Sequence, residues 1–413
     1  MAGVSQTDAG KFDVVIIGAG VMGASTAFWL KRSDPQLRVA LIDRDYSFSQ
    51  ASSSLSASSI RQQFTAPVNI ALSQFGIDFL RHVSAYLSCE GEAVDLGLTE
   101  PGYLYLASTR QARQLHKAWS IQMRHGAQVE LLSAPDLRMR FPWINTDGIE
   151  LGALGIDGEG WFDGPALHQA FLKKALKLGV IKIQAEVVGL QRETSLSPPE
   201  QGHRRSKQKI RSIVLNDGRQ IHSDIYICAA GAWSGQLLKT ADIELPIVPA
   251  RRTVFVLSCP VQLPDCPLII DSSGFWLRPE GKFFIAGMPP QPAAQTSEHE
   301  PLVPDYRELD EARWALLAHR IPAFEAMRIE GAWAGYYEMN LFDHNAVIGP
   351  LHNYERLYCI AGFSGHGMQH APGAGLALSE WILQGKPDSV DVSPLHHERL
   401  AENKPLWELN IIG

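Results

Sequence analysis

Three clusters of glycine and other small residues lie far apart in this chain, and each would let the backbone lie close to a large ligand. They are "GAGVMG" at residues 18–23, "AAGAWS" at 229–234 and "IAGFSGHGMQHAPGAG" at 360–375. Glycine has no Cβ, so it adopts left-handed conformations readily and leaves room beside the chain. Glycine-rich turns before helices are typical of sites that bind phosphate groups.

The first cluster has the spacing of a dinucleotide-binding turn. The apolar run "VVII" predicts a strand before it, and "ASTAFWLKRS" predicts a helix after it. In this pattern Gly18 permits a tight turn, Gly20 lets the backbone approach a pyrophosphate, and Gly23 lets the helix pack on the strand. A second strand, "RVALIDRD", ends in Asp43, whose carboxylate would bind ribose hydroxyls. The combination predicts a nucleotide cofactor.

The order of the three clusters favours FAD over a nicotinamide cofactor. A nicotinamide-binding domain usually completes its sheet in one contiguous block. Here the third cluster lies near the C-terminus, so long insertions must interrupt the sheet. That arrangement is typical of a domain for the larger FAD. A nicotinamide dehydrogenase stays an alternative, and it predicts a colourless purified protein.

The composition predicts a globular protein of two domains. The chain has 413 residues, of which 45% are hydrophobic and 20% charged, with a net charge of −7. Negative charge disfavours nucleic acid as a partner, and no apolar run is long enough for an integral membrane segment. The five cysteines are scattered and never spaced C-x-x-C, so no zinc site is expected. The first eleven residues lack the pattern of a targeting signal, which favours the cytoplasm.

Six longer stretches follow one another along the chain: "SSIRQQFTAPVNIALSQF", "RFPWINTDGI", "DGEGWFD", "AAGAWS", "AWAGYYEMNLFDHNAVIGP" and "GFSGHGMQHAPG". Together they resemble the D-amino-acid oxidase superfamily of FAD enzymes, in its sarcosine oxidase-like branch. The resemblance extends from Phe12 almost to the C-terminus. It implies an α/β fold in which an FAD-binding Rossmann-type (glutathione reductase-like) domain is interleaved with a mixed, largely antiparallel substrate domain.

The resemblance also implies how the chain is divided. We expect the FAD-binding domain to comprise residues 1–90, 161–240 and 336–413. The substrate domain should comprise residues 91–160 and 241–335, where runs such as "RRTVFVL" and "KFFIAGM" have strand composition.

Cofactor-binding residues follow from the same resemblance. Asp43 would bind the adenosine ribose, Arg44 would lie near the adenine, and Val187 would meet the adenine through its backbone. The last glycine turn would pass under the flavin ring, where a Cβ would collide with it. A helix from about Ala371 would direct its positive end at the flavin N1 and C2 carbonyl. The positions implied to contact FAD are Gly18, Gly20, Val21, Met22, Gly23, Asp43, Arg44, Ser52, Ser53, Ser54, Val187, Ala230, Gly231, Gly365, Gly367, Met368 and Gln369.

On the substrate side, the resemblance implies that Arg61 in "SSIRQQF" binds a substrate carboxylate. Two parallel charge-assisted bonds from its guanidinium would orient an amino acid against flavin N5. Tyr337, His366 and Gln369 are the other residues expected at the reacting centre. A surface arginine that forms a salt bridge is the alternative for Arg61.

Four positions depart from the pattern of the relatives. Gly335 stands where relatives with covalent flavin have a cysteine, so non-covalent FAD is expected. Tyr337 and Gln369 stand where related oxidases have a carboxylate-binding arginine and lysine. An approximate alignment puts Ile285 where those oxidases have a lysine that promotes the reaction with oxygen. A less cationic site favours a dehydrogenase over a fast oxidase.

Other polar clusters have simpler interpretations. His366 and His370 lie in a glycine- and proline-rich turn, where a spacing of four does not put both imidazoles on one helical face, so no metal site is expected. The basic run "HRRSKQK" is interpreted as a solvated hairpin tip. Trp333 belongs either to an aromatic wall over the substrate or to the core. Asp343 and His344 are expected in the turn before the strand "AVIG".

The leading hypothesis is an FAD-dependent oxidoreductase that oxidises a small amine, namely a secondary or N-substituted amino acid. A hydride would pass from the carbon next to nitrogen to flavin N5, and the electron acceptor would be oxygen or a quinone or other redox partner. An amine with a free lone pair needs no general base for this step. The alternative is a flavoprotein that acts mainly as an assembly or accessory factor for a respiratory complex.

Overall fold

The computed structural model describes residues 11–193, 208–288 and 301–409. Most of the basic run "HRRSKQK" lies outside these ranges, so its interpretation as a hairpin tip stays a prediction. The strands are β1 Phe12–Ile17, β2 Val39–Asp43, β3 Ser59–Ile60, β4 Tyr103–Ala107, β5 Val129–Ser133, β6 Leu151–Gly155, β7 Gly160–Trp161, β8 Ile181–Gln184, β9 Val187–Arg192, β10 Gln208–Leu215, β11 Gln220–Ile221, β12 Ser223–Cys228, β13 Ile247–Ser258, β14 Leu268–Ile270, β15 Trp276–Glu280, β16 Phe283–Gly287, β17 Arg328–Asn340, β18 Val347–Pro350, β19 Tyr354–Glu355 and β20 Leu357–Ala361. The α-helices are α1 Val21–Ser33, α2 Ser52–Leu55, α3 Pro67–Arg81, α4 Val83–Leu87, α5 Thr109–Arg124, α6 Ala134–Arg140, α7 Gly164–Lys177, α8 Ser234–Lys239, α9 Glu311–Arg320, α10 Gly367–Gln384 and α11 Glu398–Ala401.

A six-stranded sheet carries all three glycine clusters at one edge. Its strand order is β18-β20-β12-β1-β2-β8, and all neighbours are parallel except β18 and β20. Val14 and Ile16 of β1 pack against α1, α3, α7 and α10, whereas Val15 and Ile17 pack in a core with β10 and α8. Both faces of the sheet are therefore covered, which explains why β1 is continuously apolar. Because β1, β12 and β20 are parallel, the turns that follow them meet at the same edge.

The second large sheet has eight strands in the order β17-β13-β16-β15-β14-β4-β6-β5. Only β14 and β4 pair in parallel, so the expected mixed and largely antiparallel sheet is confirmed. Its two longest strands, β13 and β17, pair along almost their whole length, from Ile247 opposite Asn340 to Ser258 opposite Arg328. The proposed domain boundaries stay predictions, and β17 crosses the one at residue 335.

The stretch "IKIQAEVVGL" forms two strands that belong to different sheets. β8 ends at Gln184 and pairs with β2, whereas β9 begins at Val187 and pairs with β10 in a different sheet. Between them the Ala185 amide donates to the Asp43 carbonyl oxygen at 2.9 Å. The chain therefore changes sheets beside the end of β2.

Helix α10 begins at Gly367 and not at about Ala371, so the expected start of this helix was wrong. Pro372 lies inside the helix, although proline is usually confined to the first turn of a helix. Contacts from α1 hold this part of α10: Ser25 Oγ donates to the Ala371 carbonyl at 2.8 Å, and Trp29 Nε1 donates to the Pro372 carbonyl at 2.9 Å. These contacts could not be inferred from the local sequence.

Close packing of α1 on α10 gives a test of the fold. A Cβ at Gly375 would lie 2.3 Å from Ser25 Oγ and 3.0 Å from the Ser25 backbone carbon. We expect Gly375→Val to lower the free energy of unfolding in urea by about 1–3 kcal/mol, because the helices must move apart. Gly331→Ala is the control, since nothing lies within 4 Å of a Cβ there. Equal stability of the two variants would contradict this packing.

Candidate active site

A cavity of about 470 Å³ lies where the two large sheets meet, and all three glycine clusters line it. The first cluster contributes residues 18 and 20–22, the second contributes residues 229–231 and 233, and the third contributes residues 364–369. The strands β13, β14 and β17 of the eight-stranded sheet line the opposite side. Clusters that are more than 100 residues apart in sequence therefore form one wall.

The turn after β1 is built from direct backbone contacts. Gly18 has a φ of 104°, and a Cβ there would lie 2.2 Å from the Ala229 carbonyl oxygen. A Cβ at Gly23 would lie 1.9 Å from the Gly18 carbonyl oxygen. Gly20 precedes α1 without a capping side chain of its own, and the Val21 amide donates to Ser53 Oγ at 2.9 Å. The N-terminus of α1 therefore lies at the cavity wall, where its dipole suits a phosphate.

Asp43, Arg44 and Val187 line the adjoining part of the cavity. Asp43 accepts hydrogen bonds from the Ala19 amide at 2.7 Å and the Asp45 amide at 2.9 Å. Burial raises the pKa of Asp43, and these backbone hydrogen bonds act against that rise. The Arg44 guanidinium lies 4.1 Å from the centre of the Trp233 ring. This polar end with a flat aromatic surface fits the adenosine half of a dinucleotide.

Two residues of the serine run at 52–54 line the cavity, and the third does not. Ser52 and Ser53 line the cavity, and Ser52 Oγ donates to the Tyr336 carbonyl oxygen at 2.6 Å. Ser54 was expected beside them but is not among the lining residues; its amide donates to the Ala51 carbonyl oxygen at 3.0 Å. Gly23 likewise is not a lining residue and serves the packing of α1 on β1.

In the third turn, the protein's own side chains explain the glycine at position 365. Gly365 has a φ of 101°, and a Cβ there would lie 2.5 Å from Tyr337 Cε2. A Cβ at Gly367 would lie 3.1 Å from Met22 Cε. Collision with a flavin ring is therefore not the only reason for glycine at these two positions. Gly365, His366, Gly367, Met368 and Gln369 all line the cavity as expected.

Arg61 lines the opposite end of the cavity, at the start of residues 61–66, which we call the substrate loop. Its guanidinium carbon lies 4.3 Å from the centre of the Phe64 ring and 5.7 Å from that of Tyr103. Arg61 Nε is buried and has no hydrogen-bond partner among the described residues. The Arg61 amide donates to Gln369 Oε1 at 2.7 Å, which ties the loop to the third glycine turn. The alternative of a surface arginine does not fit these contacts.

Two carboxylates lie near Arg61 without forming an ion pair with it among the described residues. Glu159, 1% exposed, accepts from the Gln62 amide at 2.6 Å and from Gln63 Nε2 at 2.8 Å. Glu408 accepts from the Thr65 amide and from Asn69 Nδ2. Both carboxylates act on the guanidinium only at longer range, so it can still bind an anion.

The two histidines of the third turn lie together, contrary to expectation. Because α10 begins at Gly367, His366 and His370 lie one turn apart, with ring centres 5.1 Å from each other. His370 Nε2 lies 3.0 Å from Ser73 Oγ. Burial lowers the pKa of His366 well below its usual range and that of His370 to about 3, so both imidazoles are neutral near pH 7. Within the described ranges, no group of three potential ligands could hold a metal ion.

Arg252 and Glu338 line the cavity but were not expected there. The Arg252 guanidinium carbon lies 5.4 Å from the centre of the Tyr337 ring, and Arg252 is paired with Gly335 across β13 and β17. Burial raises the pKa of Glu338 to about 7. For Arg252, the sequence offers only two adjacent arginines at the start of the strand "RRTVFVL". This pattern does not show whether Arg251 or Arg252 faces a cavity.

Two positions that the sequence placed or left open as cavity residues, Ile285 and Trp333, do not line the cavity. Ile285 is buried in β16, opposite Val256 and Arg278. Trp333 Nε1 donates to the Leu55 carbonyl oxygen at 3.0 Å, so this side chain packs behind the cavity. Asp343 lies in the turn before β18, as expected, and its carboxylate forms a buried ion pair with Arg399 at 2.8 Å.

The fold and the three-turn cavity define a dinucleotide-binding protein whose nucleotide domain is interrupted by a second sheet. A family profile described as "FAD dependent oxidoreductase" (DAO) matches residues 13–381. The chain belongs to this family of FAD-dependent oxidoreductases. The glycine cradle, Asp43 and the aromatic surface near Arg44 fit FAD.

Known relatives differ in how closely they match. The chain is 38% identical to "FAD-dependent oxidoreductase domain-containing protein 1" of Xenopus laevis, over 97% of this chain and 85% of that protein. It is 23% identical to a glycine oxidase of Geobacillus kaustophilus, over 93% and 96% of the two chains. The crystal structure of L-proline dehydrogenase from P. horikoshii has the same fold, with a TM-score of 0.80 and 23% identity over 96% of this chain and 99% of that one.

Among the described residues, no helix combines the length and the apolar composition that a membrane span requires.

Glu408 gives a first test of the site. Its carboxylate caps the N-terminus of α3, where Ala66 has no capping side chain of its own. We expect Glu408→Gln to lower the free energy of unfolding by about 1–3 kcal/mol, because charged hydrogen bonds to the substrate loop are lost. Glu402→Gln removes an exposed carboxylate from the same tail and should cost less than about 1 kcal/mol. Equal losses in the two variants would show that the tail does not hold the loop.

Glu159 gives a test that depends on pH. Burial raises the pKa of Glu159 from 4.5 to about 7, so its ionisation is penalised in the folded state. The contribution of Glu159 to the free energy of unfolding is therefore lost as the pH rises through that interval. Glu159→Gln cannot ionise and should therefore gain stability relative to wild type between pH 5 and pH 8, by an amount of the order of 3 kcal/mol. Urea unfolding across this range measures the difference. The exposed Glu150→Gln is the control, and a difference that does not vary with pH would contradict the assignment.

Proposed function

We propose that this protein oxidises a small amine, namely a secondary or N-substituted amino acid, and that Arg61 binds the substrate carboxylate. The observation that carries the proposal is a guanidinium at the cavity wall whose buried Nε has no protein partner among the described residues. A buried donor without a partner is costly, and a carboxylate would satisfy it with two charge-assisted bonds.

When bound, FAD would supply the acceptor for a hydride from the carbon next to the substrate nitrogen. The contribution of the chain is orientation and exclusion of water. Arg61 would fix the carboxylate, Tyr103 and Tyr337 line the cavity with it, and Phe64 packs against its guanidinium. Burial raises the pKa of Tyr337, so its hydroxyl stays protonated and able to donate a hydrogen bond. The neutral histidines add no competing positive charge beside the substrate nitrogen.

We infer that FAD is held without a covalent bond. Gly18 and Gly20 would bind its pyrophosphate with the N-terminus of α1, and Asp43 would bind its ribose. Gly335 supplies no side chain for a bond to the flavin. A Cβ there would lie 3.0 Å from Leu55 Cβ, so a larger residue would need α2 to move.

We also infer that a quinone or other redox partner, and not oxygen, is the main electron acceptor. Gln369 takes the place of a lysine, and its Oε1 is engaged by the Arg61 amide. Ile285 supplies no charge to the cavity.

The cytoplasmic location and the five-segment division into domains stay predictions of the sequence.

Anaerobic mixing of the FAD-loaded protein with amino acids and N-alkyl amino acids tests the function. At least one of them should bleach the visible absorbance of the flavin, and a quinone should restore it faster than oxygen does. Restoration by oxygen at an equal or greater rate would overturn the proposed acceptor. Absence of bleaching with any candidate would favour the assembly or accessory role.

Arg61→Gln tests the carboxylate role separately. We expect the KM of the bleaching substrate to rise by about 30- to 1,000-fold, because a buried charge pair is worth about 2–4 kcal/mol. Arg81→Gln is the control, since Arg81 forms partly exposed ion pairs with Glu100 and Asp157. A KM in Arg61→Gln that matches the control would remove Arg61 from the site.

A further inference from the structure

We propose that the eight-stranded sheet forms an apolar subsite beside Arg61, so that the substrate is an amino acid with an apolar substituent of several carbons on its α-carbon or its nitrogen. Trp276 is the central contact of this subsite. The inference rests on the proposed function of Arg61 and narrows the class of amino acid that the site admits. Four cavity-lining residues form what we call the apolar wall: Val254, Leu268, Ile270 and Trp276.

One face of the eight-stranded sheet supplies the apolar wall. In the pairing of the strands, Leu268 lies opposite Tyr103, and Ile270 lies opposite Trp276. These four side chains line the cavity or pack beside it, whereas the residues that alternate with them pack in the core on the other face. Successive side chains of a strand point to opposite faces. The pairing of the strands therefore collects the apolar side chains on the cavity side.

Trp276 is laid against the sheet because the next strand has no side chain beneath it. A Cβ at Gly287 would lie 2.2 Å from Trp276 Nε1 and 2.6 Å from Trp276 Cε2. Trp276 and Gly287 are paired across β15 and β16, and both line the cavity. The indole therefore lies across the Gly287 position, and Trp276 is only partly buried. Such a flat ring offers a large apolar contact surface to an aliphatic or aromatic substituent.

The apolar wall adjoins the Arg61 guanidinium through two aromatic rings. The guanidinium carbon of Arg61 lies 4.3 Å from the centre of the Phe64 ring and 5.7 Å from that of Tyr103. Both rings belong to one hydrophobic cluster with two residues of the wall, and Trp276 packs against that cluster. A ligand whose carboxylate is bound by Arg61 would therefore have its carbon chain next to the wall.

Polar groups of the neighbouring strand positions interact with other parts of the protein. Thr253 Oγ1 accepts a hydrogen bond from the Asp305 amide at 3.1 Å, and the charge of Glu308 acts on Arg252. A polar substituent placed against the wall would lose its hydration without gaining a partner there, which is unfavourable. An apolar substituent gains free energy from the same transfer out of water.

The test compares the binding of acetate and valerate to the FAD-loaded protein by titration calorimetry. Each ligand has one carboxylate, and valerate is longer by three methylene groups. Burial of a methylene group raises the affinity by about four-fold, so wild type should bind valerate about 10- to 60-fold more tightly than acetate. The heat-capacity change on binding should also be more negative for valerate. A ratio of affinities near 1 would overturn the apolar subsite.

Trp276→Ala tests the central contact. We expect the ratio of affinities to fall to about 3 or less, because most of the apolar surface offered to the chain of valerate is lost, while the affinity for acetate stays unchanged. Trp314→Ala is the matched control, since Trp314 is also partly buried but packs against the core on the other face of the sheet. Equal ratios in the two variants would remove Trp276 from the subsite.

Val254→Thr is a second test that keeps the shape of the side chain. The added hydroxyl should lower the ratio of affinities by about 3-fold, because it places an unpaired polar group against the chain of valerate. Val256→Thr is the control, two residues further along β13 and not among the residues that line the cavity. No difference between these two variants would contradict the apolar wall.

Arg61→Gln separates this inference from the proposed function. It should weaken acetate and valerate by similar factors. If it weakens neither ligand, the proposed function itself fails, whereas a wild-type ratio near 1 alone leaves the carboxylate role of Arg61 in place. FAD content and the thermal midpoint show whether each variant is folded.

Anaerobic reduction of the flavin then locates the substituent. N-methylleucine carries the apolar group on its α-carbon, and N-butylglycine carries it on its nitrogen. At equal subsaturating concentrations, one of them should reduce the flavin about 10-fold faster than N-methylglycine does. Equal rates with all three compounds would overturn the apolar substituent.

Discussion

The structure depends on backbone segments that touch one another directly at the edge where β1, β12 and β20 end. Cβ atoms at Gly18 and Gly23 would lie 2.2 Å and 1.9 Å from backbone oxygens, and real Cβ atoms essentially never come within 3.0 Å of a heavy atom outside their own and the adjacent residues. A Cβ at Gly76 of α3 would likewise lie 2.3 Å from the Gln369 carbonyl oxygen. Three turns and the helix behind the substrate loop can meet only because these positions have no side chain. The shape of the cavity is therefore set largely by the main chain.

At the Arg61 end of the cavity, Glu159 and Glu408 act on the guanidinium at longer range and form no direct ion pair with it among the described residues. Glu159 and Glu408 accept hydrogen bonds from amide and side-chain donors of the substrate loop and its surroundings. A carboxylate in direct contact with the guanidinium would compete with any anionic substrate. The same hydrogen bonds connect the C-terminal tail to the substrate loop, about 340 residues away in sequence. The tail is therefore part of the architecture of the site.

The long pairing of β13 with β17 links the two halves of the cavity. Tyr337 of β17 packs against Gly365 in the third glycine turn, and Arg252 of β13 lies beside Tyr337. One strand pair therefore positions groups that face both the third glycine turn and the cavity. With His366 and His370 neutral, the positive charge of this region resides on guanidinium groups, which bind carboxylates with defined geometry.

Local patterns in the sequence were enough to predict the first glycine turn and the strand that ends in Asp43, because each depends on a few neighbouring residues. FAD and the mixed second sheet were predicted from the order of the three glycine clusters and from the family resemblance. Only the tertiary structure decided that α10 begins at Gly367, that Arg252 faces the cavity and that Glu408 caps α3. These features depend on contacts between segments distant in sequence, such as the register of β13 against β17 and the packing of α1 on α10. A one-residue shift of that register would turn Arg251 toward the cavity in place of Arg252, and nothing in the local sequence distinguishes the two.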